Sequence, residues 1–225
     1  MAESMSLLWG SGSGPCWRVM LALEEKNLQG YRQKQISFEK NEQKSQEVLE
    51  INPRGQVPAF KHGDIILNQS TGVCLYLENQ FKSQGTKLIP DDPANQAMMY
   101  QRMIEGLGLT EKIDWVVYYE FLVPEGERLE AGLQRHRDAL TTELKLWEGY
   151  LENVAEGSYL AGPYSLADVV GFPNAAFAFA FGLSPERYPK LAKYYNLLKD
   201  RPTIKASWPP KWFESEQGFQ ALKDI

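Results

Sequence analysis

Apolar residues gather first in a short run, Leu7 to Trp9, that gives way to Gly10 and a stretch of serines and glycines. That pattern predicts a buried strand ending in a loop. Beyond Pro15, Val19, Ala22 and Leu23 fall on one face at helical spacing and Gly30 follows soon after, so residues 16–27 are expected to be a helix. Residues 31–38 read as a second extended run, and the charged stretch 39–50 as an exposed helical segment. Two apolar runs, 56–60 and 65–68, flank His62-Gly63-Asp64 and predict a hairpin. Residues 69–81 predict a third helix with Val73, Tyr76 and Leu77 facing inward. The order is βαβαββα.

Two prolines and two aspartates around position 91 break this alternation. They suggest a linker over 85–93 between a domain at 1–84 and a helical domain at 94–225. Leu129, Leu133, His136, Leu140, Leu144, Trp147, Leu151 and Val154 recur every three or four residues, the stripe of a long amphipathic helix. His136, on that stripe, is expected to be packed and hydrogen-bonded rather than catalytic. Ser165 with Asp168 three residues on predicts a capping-box start to an apolar helix. No internal repeat is visible.

Composition narrows the function. The 225 residues are 43% hydrophobic, enough for a substantial core, and the net charge of −5 argues against a nucleic-acid partner. No apolar run reaches the ~20 residues of a membrane helix, and the start lacks the basic region of a secretion signal. Cys16 and Cys74 are therefore expected to be thiols in a reducing, cytoplasmic compartment. With only two histidines, a histidine-rich metal site is excluded and no metal is expected.

The loop from Gly10 to Cys16 admits three chemistries. Its G-x-G-x-G spacing before a helix hints at phosphate, but no Gly-Lys-Ser/Thr follows. Ser13-Gly14-Pro15-Cys16 resembles the Cys-Gly-Pro-Cys of thioredoxins, yet a serine in place of the attacking cysteine cannot form a disulfide. Cys16 alone could do monothiol work or be a small buried residue, the reading its position favours. The third possibility is that the loop holds a thiol belonging to a ligand.

Here the sequence resembles a known family. S-G-P-C-W-R-V, N-P-R-G-Q-V-P-A-F, L-N-Q-S and L-A-G-P-Y-S-L-A-D, in that order, look like the marks of a cytosolic glutathione transferase. The first motif is similar to the serine-type theta and zeta classes. The whole chain, with E-K-N-x-Q-G-Y and P-E-G-E-R-L-E, is most like the rho class of fish and other aquatic animals.

The resemblance implies a thioredoxin-like glutathione-binding domain and an all-helical domain that completes a pocket for apolar electrophiles. Glutathione would be the co-substrate, and the protein a homodimer active in detoxification. Ser13 would donate to the glutathione thiolate, with Ser11 as its rival; tyrosine-type classes carry a tyrosine where this chain has Trp9. Pro58 would be cis, and Val57 before it would pair with the cysteinyl unit, with Gln56 contributing a polar contact. Ser70, read from sequence as a helix N-cap, would take the γ-glutamyl carboxylate. Gln69, standing where many relatives have Glu, would hold the amino group less firmly. Gln43 and Lys44 would face the glycyl carboxylate. Met103, Leu107, Tyr118 and Trp212 are the expected lining of the electrophile pocket.

Overall fold

In the computed structural model, residues 4–155, 157–210 and 220–225 are described. They divide into two compact units: one runs to Leu88 and is rejoined by the stretch from Arg201, and the other spans Ile89–Asp200 and takes in the end of the chain at Ile225.

The first unit is built on a four-stranded sheet of order β2-β1-β3-β4, with β1 at Met5–Gly10, β2 at Arg32–Ile36, β3 at Ala59–His62 and β4 at Ile65–Leu67. β1 pairs in parallel with β2 (Gly10 opposite Ile36) and antiparallel with β3 (Leu8 opposite Ala59). β3 pairs antiparallel with β4. The central β1 is the most apolar strand because it is covered on both faces; Met5 and Leu7 have no exposed surface. Helix α1 (Gly14–Glu25) is buried almost all round, from Cys16 and Trp17 to Leu23 and Glu25. The expected helical segment at 39–50 is instead two pieces, a single 3₁₀ turn at Glu42–Lys44 and α2 at Gln46–Ile51. Ser45, extended at φ −64° and ψ 155°, separates them. Helix α3 (Ser70–Gln80) buries Val73, Cys74, Leu77 and Glu78. Tyr76 is only half-buried, contrary to expectation, because its hydroxyl lies 2.7 Å from His62 Nδ1 at the hairpin.

The second unit is helical. α4 (Pro93–Val117) starts with Asp92 accepting from the Asn95 N–H at 2.9 Å and a proline in the first turn. Then come α5 (Tyr119–Leu122), α6 (Glu130–Glu152), α7 (Leu166–Ala180) and α8 (Pro189–Leu198). α7 is the core helix, with no exposed residue from Leu166 to Ala178. Asn174 ties it to α4, donating to the Gly106 carbonyl at 2.7 Å and accepting from Thr110 at 2.8 Å. The predicted capping box is present: Ser165 caps α7 and Asp168 accepts from the Ser165 N–H at 2.9 Å. Burial pushes the Asp168 carboxyl up to about 6 despite donors from Leu160, Ser165 and Tyr194.

The α6 stripe is buried only over Leu140, Leu144 and Trp147; Leu129 at its start is 64% exposed. His136 packs, stacked on Trp115 with ring centroids 4.8 Å apart.

The stretch from Arg201, with its short helix α9 (Pro202–Ser207), returns to the first unit and locks onto α1. The Trp17 indole N–H donates to Ser207 Oγ at 3.0 Å, and the Trp17 ring meets Trp208 edge-on at 4.9 Å. Arg201 forks onto the Glu25 carboxylate at 2.6 and 2.7 Å, and Thr203 donates to the same group. Next to it Lys26, fully buried, meets Glu78 at 2.7 Å and the Thr86 carbonyl at 2.9 Å.

Candidate active site

Strand direction gathers the sequence motifs at one end of the sheet. β1, β2 and β4 all run the same way, and β3 runs against them. The loops leaving β1, β2 and β4 and the segment entering β3 therefore share one edge. These carry Ser11 and Ser13, then Gln43 and Lys44, then Gln69-Ser70, and finally Gln56-Val57-Pro58. An edge made from the carboxyl ends of strands is where open α/β sheets bind ligands.

At β1 the loop turns on two glycines. Gly12 has φ +84°, the left-handed region where a side chain is disfavoured. Gly10 lies flush against an aromatic ring: a Cβ there would sit 2.4 Å from Phe38 Cε2. Ser13 N-caps α1, its Oγ accepting from the Cys16 N–H at 3.3 Å. A hydroxyl that accepts this way keeps its own proton free to donate to a ligand. Cys16 is buried, with its sulfur accepting from the Gly10 N–H at 3.5 Å, and burial pushes the thiol up to about 11. That is the opposite of a reactive thiolate.

At β3 the Val57–Pro58 peptide bond is cis, as the resemblance implied. Strand pairing stops at Leu8–Ala59, so Val57 stands two residues beyond the ladder, with buried Pro58 between. Gln56 is exposed. Asn52 shapes this approach, donating to the Gln56 carbonyl at 2.7 Å and accepting from the Arg54 N–H at 3.1 Å. Asn52 is present in the sequence motif but its role was not foreseen there. Lys44 crosses to the same turn, donating to the Arg54 carbonyl at 3.1 Å, and Gln43 donates to Asn41 at 2.7 Å while its Oε1 is buried without a partner.

At α3 one expectation is corrected: the N-cap is Gln69, extended at φ −101° and ψ 120°, and Ser70 is the buried first helical residue. The chain enters the helix one residue earlier than the serine suggested. No side chain caps this helix start. Its leading N–H groups thus point to an open anion site. Beside it Asn68 Oδ1 and Thr71 Oγ1 are buried without partners.

The expected electrophile residues do not form one cluster. Met103 is 4% exposed inside the helical unit, and Leu107, one turn on, is 38% exposed. Tyr118 packs between Phe177 and Phe181 at 6.1 and 6.4 Å, where burial and Asp114 push its hydroxyl up to about 12. Trp212 lies outside the described residues. The first unit has its own cavity of about 560 Å³, walled by Ser11, Ile36, Ser37, Phe38 and Pro210 among others. Sequence reasoning missed Phe38, whose only signal was an exposed aromatic closing an extended run.

Among the described residues no group of three acidic, histidine or cysteine side chains could hold a metal ion, and no helix is long and apolar enough to cross a membrane.

A thioredoxin-like α/β unit with a serine in place of the attacking cysteine, followed by a helical unit, defines the class. The family model for the glutathione S-transferase N-terminal domain matches residues 10–85. The chain is 62% identical over 226 residues to glutathione S-transferase A of Pleuronectes platessa, covering 100% of both. A glutathione S-transferase from the Antarctic clam Laternula elliptica superposes with a TM-score of 0.85 at 39% identity, over 98% of this chain and 99% of that one. A glutathione transferase homologue from Sulfitobacter, solved with glutathione bound, matches with a TM-score of 0.77 over 92% of this chain and 97% of its own, a likeness of fold at 22% identity. The chain belongs to the glutathione S-transferase family, a family of enzymes.

Proposed function

We propose that this chain is a rho-like, homodimeric cytoplasmic transferase that conjugates glutathione to electrophiles in detoxification, with Ser13 stabilising the thiolate. The glutathione-binding domain is residues 1–84, and residues 94–225, beyond the 85–93 linker, complete the electrophile pocket. The observation that carries the reading is the meeting of three glutathione-type motifs at one sheet edge, with α1 capped by a serine hydroxyl and α3 left uncapped.

A free thiol has a pKa of ~8.5, and lowering it to ~6.5 takes about 2.7 kcal/mol. A hydrogen bond from the Ser13 hydroxyl to the thiolate supplies about 1.5–3 kcal/mol, and the α1 N-terminus roughly 0.3–1 kcal/mol more. Ser13 acts as a donor and not as a base. The thiol proton leaves to solvent, sulfur forms a bond to the electrophilic carbon, and the leaving group departs with its electron pair. In an addition, the neighbouring carbon takes a proton from solvent instead. Positioning and thiolate formation carry the rate.

Val57 pairs with the cysteinyl backbone like an added strand. The γ-glutamyl carboxylate sits on the α3 N–H groups and the Ser70 hydroxyl, and Gln69 accepts from the amino group. Lys44 and Gln43 face the glycyl carboxylate. Leu107 and Tyr118 border the electrophile from the helical domain.

The test is conjugation of glutathione to 1-chloro-2,4-dinitrobenzene by wild type and Cys16→Ala. Both should turn over at similar rates. Loss of activity in Cys16→Ala with the fold intact would move the chemistry to the cysteine, and a wild type that binds no glutathione by calorimetry would leave only the fold.

A further inference from the structure

Among the described residues, Trp9, Trp17 and Trp147 are the buried tryptophans. Two of them have hydrogen-bond partners, as buried indoles usually do: the Trp17 N–H donates to Ser207 Oγ at 3.0 Å and the Trp147 N–H to Glu143 at 3.1 Å. Trp9 does not. It is 8% exposed, and its Nε1–H is buried with no acceptor among the described residues. A phenylalanine would fill similar apolar space without burying an unmet donor, so the orphan N–H calls for an acceptor that arrives from outside.

The place of Trp9 in the sheet says where that acceptor enters. Trp9 is the last residue but one of β1, and Gly10 and the loop bearing Ser13 follow it directly. The antiparallel ladder ends at Leu8–Ala59, which puts cis Pro58 next in line across from Trp9. Side chains alternate along a strand. Leu8 packs with Val48 of α2, Ile36 and Ala59, so Trp9 stands on the other face of the sheet, the one that α1 and α3 cover. Both of those helices start at the ligand edge. In the transferase reading the cysteinyl unit of glutathione is bracketed by Val57 and Ser13, and Trp9 lies on the strand between the two. An indole N–H is a donor only and cannot serve as a base. The ligand atom that gains negative charge at that point, and so suits a buried donor, is the sulfur.

We infer that Trp9 is a further catalytic residue of the transferase: its indole N–H is a second donor to the glutathione sulfur, beside the Ser13 hydroxyl. The inference rests on the transferase reading and deepens it. No bond to Trp9 forms or breaks. The thiol proton still leaves to solvent, and the indole keeps its own proton while the negative sulfur accepts from it. A donor fixed in a buried strand end is in place before the ligand arrives, so it need not reorganise as charge builds on sulfur. The two donors also differ in their other duties. Ser13 caps α1 while it donates, whereas the Trp9 N–H has no acceptor to leave.

The experiment compares wild type and Trp9→Phe with two ligands, glutathione and its analogue ophthalmate, in which a methyl group replaces the thiol. Urea unfolding checks that the variant is folded. Calorimetry, at a pH where the thiol bound to wild type is ionised, should find glutathione about tenfold weaker in Trp9→Phe and ophthalmate unchanged within about twofold. Ultraviolet difference titration should place the bound thiol about one pKa unit higher in the variant. Equal weakening of both ligands would reveal a packing defect, and an unchanged pKa of the bound thiol would mean that the sulfur does not meet the indole. Either result overturns the inference while the transferase reading stands. A measurement on the unsubstituted protein covers a variant that does not fold. With isotope-labelled tryptophan in nuclear magnetic resonance, an indole N–H signal should move downfield on adding glutathione and stay in place on adding ophthalmate; no such movement overturns the inference. A wild type that binds neither ligand ends both readings.

Discussion

Ser13→Ala tests two consequences of one hydroxyl. In the free protein Ser13 Oγ accepts from the Cys16 N–H at 3.3 Å, and removing that N-cap should cost about 1 kcal/mol of stability. With glutathione bound, the same oxygen donates its proton to the thiolate. A charge-assisted bond of about 1.5–3 kcal/mol corresponds to roughly one to two pKa units. The bound thiol should therefore titrate one to two units higher in Ser13→Ala, and kcat/KM below that pKa should fall roughly 10- to 100-fold. The assay is ultraviolet difference titration of enzyme-bound glutathione, since the thiolate absorbs and the thiol does not, together with urea unfolding of the free protein. Ser13→Asp separates the two effects. A carboxylate caps a helix as well as serine but, being an acceptor only, repels the thiolate. That variant should keep its stability and raise the thiol pKa further. If Ser13→Ala loses stability but the bound thiol keeps its depressed pKa, the hydroxyl is a cap and nothing else, and Ser11 becomes the residue to replace.

Other perturbations probe the scaffold. Glu78→Ala leaves the fully buried Lys26 ammonium without its carboxylate and should cost about 3–5 kcal/mol in urea unfolding, whereas a Lys26→Met, Glu78→Leu double variant should cost markedly less. Asp168 has a folded pKa of about 6 against an ordinary value of 3.8. A raised acid pKa means stability that is full below the unfolded value and lost as pH rises through the folded one, so the advantage of wild type over Asp168→Asn should shrink by up to about 3 kcal/mol between pH 4 and pH 7. A constant difference across that range would show that Asp168 is ionised throughout. Glu25 runs the other way. Burial alone would raise its pKa, but Arg201, Thr203 and Thr86 together hold the carboxyl below the usual carboxylate range. Its contribution is present near neutral pH and lost as pH falls, so Arg201→Ala should remove part of the chain's acid-unfolding midpoint shift relative to wild type.

Much of the fold was readable because its signals are local. The Gly/Ser loop, the hairpin around Gly63 and the Ser165–Asp168 box each depend on residues a few positions apart. Errors arose where tertiary contacts outweighed a local preference. Ser70 is the better N-cap by residue type, yet Gln69 occupies that position. Tyr76 has the spacing of a core residue, but His62 draws its hydroxyl toward the surface. The α6 stripe has the right period over its whole length, and the chain buries only its later part. Phe38 showed no periodicity because its position is set by Gly10 and not by its neighbours in sequence. Lys26 and Glu78 would be placed on the surface by type; their burial depends on each other and could not be read from either alone.

The lock between α1 and the return segment also bears on the order in which this chain can fold as it is made. Trp17 meets its hydrogen-bond partner 190 residues later, and Glu25 meets Arg201 after 176. When the last strand and helix of the first unit leave the ribosome, that unit still has an uncovered indole and an unpaired carboxylate. The whole intervening helical region, on the order of ten seconds of synthesis, must emerge before they are satisfied. During that interval the side of α1 that the segment from Arg201 covers in the folded chain has to wait for it. A fragment ending at Leu88 would be held permanently at that stage, and in the full chain exposure to aggregation and chaperone capture lasts while the helical region emerges.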